Sequence, residues 1–103
     1  MSARRLAYFV VCTFDLKNGS RTDYQNAYAD LEKIGLKKAV VADDGTNVVA
    51  PTTTTVGTFN GQSSASVRTY IRDKAQAAFA ARGFTSEIFV VAANDWAWGA
   101  ATT

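Results

Sequence analysis

The sequence lacks histidine entirely and contains a single cysteine, Cys12, among its 103 residues. The missing histidine excludes Ser-His and Cys-His nucleophilic sites, histidine metal centres and ribonuclease chemistry by paired histidines. The lone cysteine excludes an internal disulfide and leaves too few ligands for a structural zinc site. Because Cys12 lies within an apolar run, we interpret it as a buried thiol in a reducing cytoplasm.

Long apolar runs and strong net charge are also missing. No run approaches the roughly 20 residues of a transmembrane helix, so we expect no membrane association. The net charge of +2 is too small to indicate nucleic acid binding by itself. With 48% hydrophobic residues the chain can bury one core, which predicts a single domain over residues 1–103. The N-terminus leads directly into a strand-like run without a cleavage site, which favours mature structure over a signal peptide.

The apolar patterns predict two helices and four strands. The run LAYFVVCTF is apolar on both alternating faces, which is typical of a strand at the centre of a sheet. Thr22 is expected to cap the first helix together with Gln25, and the second helix is expected from Ser64 to Arg82. Both helices should end at a glycine followed by an apolar residue. The other strands are expected at KKAVVA with NVV, at TTTTVGTF and at TSEIFVVAA.

This β-α-β-β-α-β order predicts an α+β fold, the ferredoxin-like sandwich. Its four-stranded antiparallel sheet would carry both helices on one face. The first strand would then leave apolar side chains such as Phe9 and Val11 on the other face. A homodimer through this sheet face, or coverage by the C-terminal tail with Trp96 and Trp98, would bury them. The two indoles could also stack nucleic acid bases.

Three aspartates form the first candidate site. Asp15 follows the first predicted strand, and Asp43 and Asp44 follow the second. Strands that flank a helix in a β-α-β unit run parallel, so we expect these carboxylates at the same end of the sheet. Carboxylate oxygens suit Mg²⁺ or Mn²⁺. The alternative is ordinary turn chemistry, because Asp-Asp-Gly is a common turn sequence.

Basic residues form the second candidate site. Lys17 and Arg21 lie in the same loop as Asp15, and Arg68 and Arg72 are spaced to share one face of the second helix. These four residues could bind the phosphates of a nucleic acid. A solvated surface of mixed charge explains them equally well. The remaining basic candidates are Arg4, Arg5, Lys37, Lys38, Lys74 and Arg82.

A family resemblance rests on segments spread along most of the chain. They are VVCTFD at 10–15, VVADDG at 40–45, the threonine-rich strand, SAS at 64–66 and EIFVV at 87–91. In order and spacing they resemble the GhoS family, small type V antitoxins that act as endoribonucleases on the messenger RNA of their toxin. The resemblance implies a ferredoxin-like fold, related to the small CRISPR spacer-acquisition subunit, and activity on RNA.

One departure from that family bears on catalysis. Its first helix carries arginines implicated in RNA cleavage, whereas the corresponding residues 26–29 here read NAYA. Cleavage by this chain would therefore depend either on Asp15, as a metal ligand or base, or on strain and electrostatic effects from Lys17 and Arg21.

Two further functions stay open from the sequence. The chain could be a non-enzymatic protein-binding or inhibitor module, of the kind encoded by phages or mobile elements. Such a module would dock a protein partner through its sheet face or its tryptophan tail. A small-ligand sensor on the same fold is the other alternative.

Overall fold

The computed structural model describes residues 6–103, which are organised around one long central strand, β1 (Leu6–Leu16). β4 and β5 flank β1 on either side, and both pair with it in antiparallel orientation. The predicted α+β domain is confirmed. Within this described range, neither helix is long and apolar enough to cross a membrane. The remaining elements are α1 (Arg21–Ile34), β2 (Ala39–Val41), β3 (Asn47–Val49), β4 (Thr54–Gly61), α2 (Ser64–Ala81) and β5 (Ser86–Ala93).

The core lies between the main sheet and the two helices. From Tyr8 onward, the even-numbered side chains of β1 are buried there, because successive side chains of a strand point to opposite faces. Phe14 is central, with its ring 5.3 Å from that of Phe79 and 5.4 Å from that of Tyr28. Burying each such side chain stabilises the fold by roughly 1.5–3 kcal/mol. The helices contribute Ala27, Leu31, Val67, Ile71, Ala75 and Phe79.

α1 begins earlier than the sequence predicts. Ser20 caps it, accepting the N–H of Asp23 at 3.1 Å, and the Asp23 carboxylate accepts the N–H of Ser20 at 3.0 Å. The predicted Thr22 and Gln25 cap is therefore wrong. Ser20 and Asp23 form the same reciprocal pair, and Asp23 adds a negative charge where the helix dipole is positive.

Both helices end as predicted. Gly35 has a φ of 111° and Gly83 a φ of 77°, a backbone conformation that suits glycine. The next residue in each case donates a hydrogen bond back to the helix. The N–H of Leu36 donates to the Leu31 oxygen at 2.9 Å, and the N–H of Phe84 donates to the Phe79 oxygen at 3.0 Å. Leu36 is buried, so the predicted apolar contact after the first helix is also present.

The predicted single four-stranded sheet does not form. The main sheet has the order β4-β1-β5, and β2 pairs with β3 in a separate two-stranded hairpin. The turn at Asp43 to Gly45 folds the chain back on itself before β2 can extend along β4. Lys37, just before β2, pairs with β4 by exchanging two backbone hydrogen bonds of 2.8 Å with Val56.

The face of the main sheet away from the helices, here the helix-free face, carries the odd-numbered side chains of β1. The hairpin and the C-terminal tail cover part of it. Val40, Val48 and Trp98 line an apolar pocket there together with Phe9 and Val11. The Trp96 ring stacks on Phe9 at 5.6 Å with 16° between the planes. Of the two ways of covering this face that the sequence left open, packing by the tryptophan tail is observed, and the homodimer stays a prediction.

Candidate functional site

Asp15 lies at the exposed end of β1, on the helix-free face. The Tyr24 hydroxyl donates a hydrogen bond of 2.8 Å to its Oδ1 and accepts one of 3.1 Å from the N–H of Leu16. Across the sheet, Asp15 is the direct partner of Glu87 on β5. Two acidic residues are therefore direct neighbours in the strand register. Sequence reasoning predicted the position of Asp15 and missed both Tyr24 and Glu87.

The three predicted metal ligands do not converge. Asp43 borders a pocket with Trp96 and Trp98, whereas Asp15 borders a different one with Lys17. Within residues 6–103, no three His, Cys, Asp or Glu side chains are grouped to hold a metal ion. The donor set therefore does not fit Mg²⁺ or Mn²⁺. The reason is the hairpin, which carries Asp43 and Asp44 away from the C-terminal end of β1, where Asp15 lies.

Asp44 has a structural role in that hairpin. Its Oδ1 accepts hydrogen bonds from the Thr46 hydroxyl at 2.6 Å and the Thr46 N–H at 3.0 Å. These bonds, the side-chain one foremost, hold the pKa of Asp44 below its ordinary value. Asp44 therefore stabilises the turn between β2 and β3, the alternative interpretation left open by the sequence.

The predicted phosphate-binding residues are exposed, and they are dispersed. Arg21 is the first residue of α1, while Arg68 and Arg72 lie on the exposed side of α2. Arg72 donates from Nε to Asp73 at 3.2 Å, and Arg68 donates to the neighbouring threonine hydroxyl at 3.0 Å. Arg4 and Arg5 lie outside the described residues.

Lys17 and Arg72 approach the start of β5 from its two sides. Lys17 lines a pocket with Asp15, Ser86 and Glu87. Arg72 lines a groove of about 310 Å³ between α2 and β5, which Ser86 also borders. Two acidic side chains accompany Lys17, so the helix-free side of this region is unfavourable for phosphate.

Apolar side chains dominate the exposed part of the helix-free face. Phe89 is 66% exposed and Val91 is 46% exposed, and their partners on β1 are Thr13 and Val11. In the hairpin, Val41 and Val49 are also exposed, at 64% and 71%. Phe89 and Val91 escaped the sequence-based site prediction because every side chain of IFVV is apolar. The pattern alone does not distinguish a covered face from an open one.

Cys12 offers no reactive thiol. Burial raises its pKa to about 11, although a hydrogen bond with Thr55 acts in the opposite direction. A thiol in this state is a weak nucleophile at neutral pH. The interpretation of Cys12 as a core residue is confirmed, since none of its surface is exposed.

Comparison with protein-family models, curated proteins and solved structures found no match to this chain. The GhoS resemblance therefore stays a prediction.

Proposed function

We propose that this chain is a non-enzymatic binding protein that docks a protein segment with apolar and basic side chains on its helix-free face. The observation that carries the proposal is the position of exposed Phe89 and Val91 on the strand that also carries Glu87, opposite Asp15. A partner that covers these apolar side chains would be bound favourably, because their removal from water lowers the free energy of the complex.

The acidic pair indicates the charge of the partner. Like charges directly opposite one another on neighbouring strands destabilise a sheet. A lysine or arginine inserted between Asp15 and Glu87 would remove that repulsion, and the apolar part of the partner would cover Phe89 and Val91. Asp43 beside Trp96 and Trp98 extends the acidic border of the same surface. Complementary charge would supply selectivity, and apolar contact would supply affinity.

The underlying topology supports a ferredoxin-like assignment as part of this proposal. The Lys37–Val56 pair places the segment before β2 at the outer edge of β4. The resulting order is Lys37 segment, β4, β1, β5, and both helices cover one face of it. The cytoplasmic location stays a prediction from the single buried cysteine.

The test uses two synthetic peptides of equal length, one alternating lysine with valine and the other glutamate with valine. We expect the lysine peptide to change the fluorescence of Trp96 and Trp98 at lower concentration than the glutamate peptide, with an affinity that falls as salt rises. Phe89→Ser should weaken binding at least about tenfold. Tyr70→Ser is the matched control, because Tyr70 is 52% exposed but lies on α2. Equal binding of both peptides, or equal effects of the two substitutions, would contradict the proposal.

RNA binding of the antitoxin kind is the second candidate. It is favoured by Arg68 and Arg72, which are exposed on α2 and lie away from the acidic pair. We expect the double substitution Arg68→Ala and Arg72→Ala to lower the affinity for a structured messenger RNA. The slope of log affinity against log salt concentration should become shallower by about two. Lys33→Ala on α1 is the control. An unchanged salt slope would remove α2 from the RNA-binding surface.

Endoribonuclease activity is tested with the same RNA. The resemblance implies cleavage, and the residues near the end of β1 predict that Asp15→Asn and Arg21→Ala would abolish it. Intact RNA, with and without Mg²⁺ or Mn²⁺, would leave the chain a binding protein only. Cleavage that survives both substitutions would reject these two residues as catalytic.

A further inference from the structure

We propose that β5 pairs in antiparallel orientation with β5 of a second copy of this chain, about a two-fold axis at Val90. The pairing would join two main sheets edge to edge. It uses the backbone edge of β5, whereas the proposed docking function uses the helix-free face. The side chains of Phe89 and Val91 belong to both surfaces, so the tests below are made without peptide and either proposal can fail alone.

The backbone geometry shows which groups of β5 face outward. Lys17 donates its N–H to the Thr85 oxygen at 2.8 Å, so these two residues form a hydrogen-bonded pair between β1 and β5. In an antiparallel ladder such pairs recur every second residue. The odd-numbered residues of β5 therefore bond to β1. The outward groups belong to Ser86, Ile88, Val90 and Ala92.

These outward groups have no backbone partner in another element of residues 6–103. The opposite edge of the sheet behaves differently. The same alternation turns Val56 of β4 outward, and Val56 is bonded to Lys37. The Lys37 segment thus occupies part of the β4 edge, while the β5 edge is open over its length.

β5 also lacks the features that protect edge strands. Natural edges are shielded by proline, bulges or several charges. β5 reads SEIFVVAA and contains one charged residue, Glu87, near its beginning. An apolar edge of eight residues with unpaired N–H and C=O groups is a template for another strand.

A second copy of β5 fits this edge in one favourable register. With Val90 opposite the partner's Val90, Phe89 faces the partner's Val91 on the helix-free side. Aromatic and β-branched side chains pair favourably at such non-hydrogen-bonded positions. The reverse contact forms at the same time, because a two-fold interface is self-complementary.

Charge placement supports the same register. Glu87 falls opposite the partner's Ala93, so the only charge of each strand avoids its own copy. A register that placed Glu87 opposite its own copy would bring two carboxylates together and would be disfavoured.

Cysteine crosslinking tests the register. Phe89→Cys and Val91→Cys are purified separately, then mixed and oxidised. The mixture should form a disulfide-linked dimer, because residue 89 faces residue 91 of the partner, and each variant alone should form several-fold less. The native protein controls for Cys12, which is buried. No crosslink in the mixture, or equal crosslinking by Phe89→Cys alone, would overturn the proposal.

Sedimentation equilibrium tests the dimer itself. An interface of one strand pair is small, so the measurement should extend to several hundred micromolar, roughly the range of weak complexes. We expect a mass approaching twice the 11.1 kDa of the chain. Val90→Pro removes an outward N–H and should raise the dimer dissociation constant at least about tenfold. A native chain that stays monomeric throughout would overturn the proposal.

Thr58→Pro is the matched control for that variant. Thr58 lies on β4 with its N–H turned outward by the same alternation, and it is exposed. The substitution should leave the dimer dissociation constant unchanged. Equal effects of the two prolines would also overturn the proposal. If Val90→Pro fails to fold, as judged by circular dichroism, the crosslinking result decides.

Discussion

The two faces of β1 differ although the strand is apolar on both. Val10 and Cys12 are completely buried on the helix side. Phe9 and Val11, their immediate neighbours, stay partly exposed on the helix-free face, and Asp15 is fully at the surface. Coverage by helices, and not apolar composition, therefore decides which side becomes the core. The other side is filled incompletely by a hairpin and a tail, which leaves surface for a partner.

Charges follow the same division. On the helix side, Arg82 of the α2 end binds Asp30 of α1 through two hydrogen bonds of 2.6 and 2.9 Å. On the helix-free face, Asp15 and Glu87 face each other across neighbouring strands. One face pairs opposite charges and closes the structure. The other places like charges together, an arrangement that a basic partner would neutralise.

The largest effect on stability should come from comparing the same substitution, phenylalanine to alanine, at a buried and at an exposed position. Phe79→Ala empties a site that is 1% exposed, whereas Phe89→Ala trims a ring that is 66% exposed. We expect a loss of about 3–5 kcal/mol in the free energy of unfolding for Phe79→Ala, and within about 0.5 kcal/mol of no change for Phe89→Ala. Urea unfolding followed by circular dichroism measures both. Similar losses would show that the helix-free face is also core.

An intermediate effect should come from the tail that partly covers the helix-free face. Trp96→Ala removes the ring stacked on Phe9, which should cost about 1 kcal/mol. A double-mutant cycle with Phe9→Ala isolates the stacking, with an expected coupling of about 0.5–1.5 kcal/mol. Trp96→Ala with Tyr70→Ala is the control cycle, because Tyr70 is exposed on α2 and should not couple to the tail. Zero coupling between Phe9 and Trp96 would mean that the tail does not pack on the sheet in solution.

Most of the fold could be predicted from local patterns. The alternation of β1, the helical spacing and the two glycine ends each depend on residues close together in sequence. The hairpin could not be predicted in this way. Ala39–Val41 and Asn47–Val49 are short strands that can extend a sheet or fold on each other. The turn that Asp44 stabilises selects the second outcome.

The candidate site was less predictable than the fold. The position of Asp15 follows from the end of β1, but the predicted meeting with Asp43 and Asp44 assumed that β2 continues along the sheet. Glu87 faces Asp15 through the register of two strands distant in sequence. No local pattern encodes that register. The exposed face of β5 could not be predicted for a related reason, because a continuous apolar run does not show which of its sides the helices cover.

The smallest expected effect concerns the ion pair on the helix side. The hydrogen bond from Arg82 holds the pKa of Asp30 below its ordinary value of 3.8, and the charge of Arg82 adds to this. A carboxyl group with a lowered pKa in the folded state stabilises the fold above its unfolded pKa. The stabilisation is lost as the pH falls through the folded pKa.

Asp30→Asn should therefore lower the urea midpoint slightly at pH 7 and have progressively less effect below about pH 4. Glu32→Gln, an exposed carboxylate on the same helix, is the matched control and should keep the native dependence on pH. Urea midpoints between about pH 2 and 7 measure both variants. A difference between Asp30→Asn and the native chain that persists unchanged at the lowest pH would show that Asp30 acts by packing rather than by its charge. The pairing of opposite charges would then no longer distinguish the helix side of the sheet from the helix-free face.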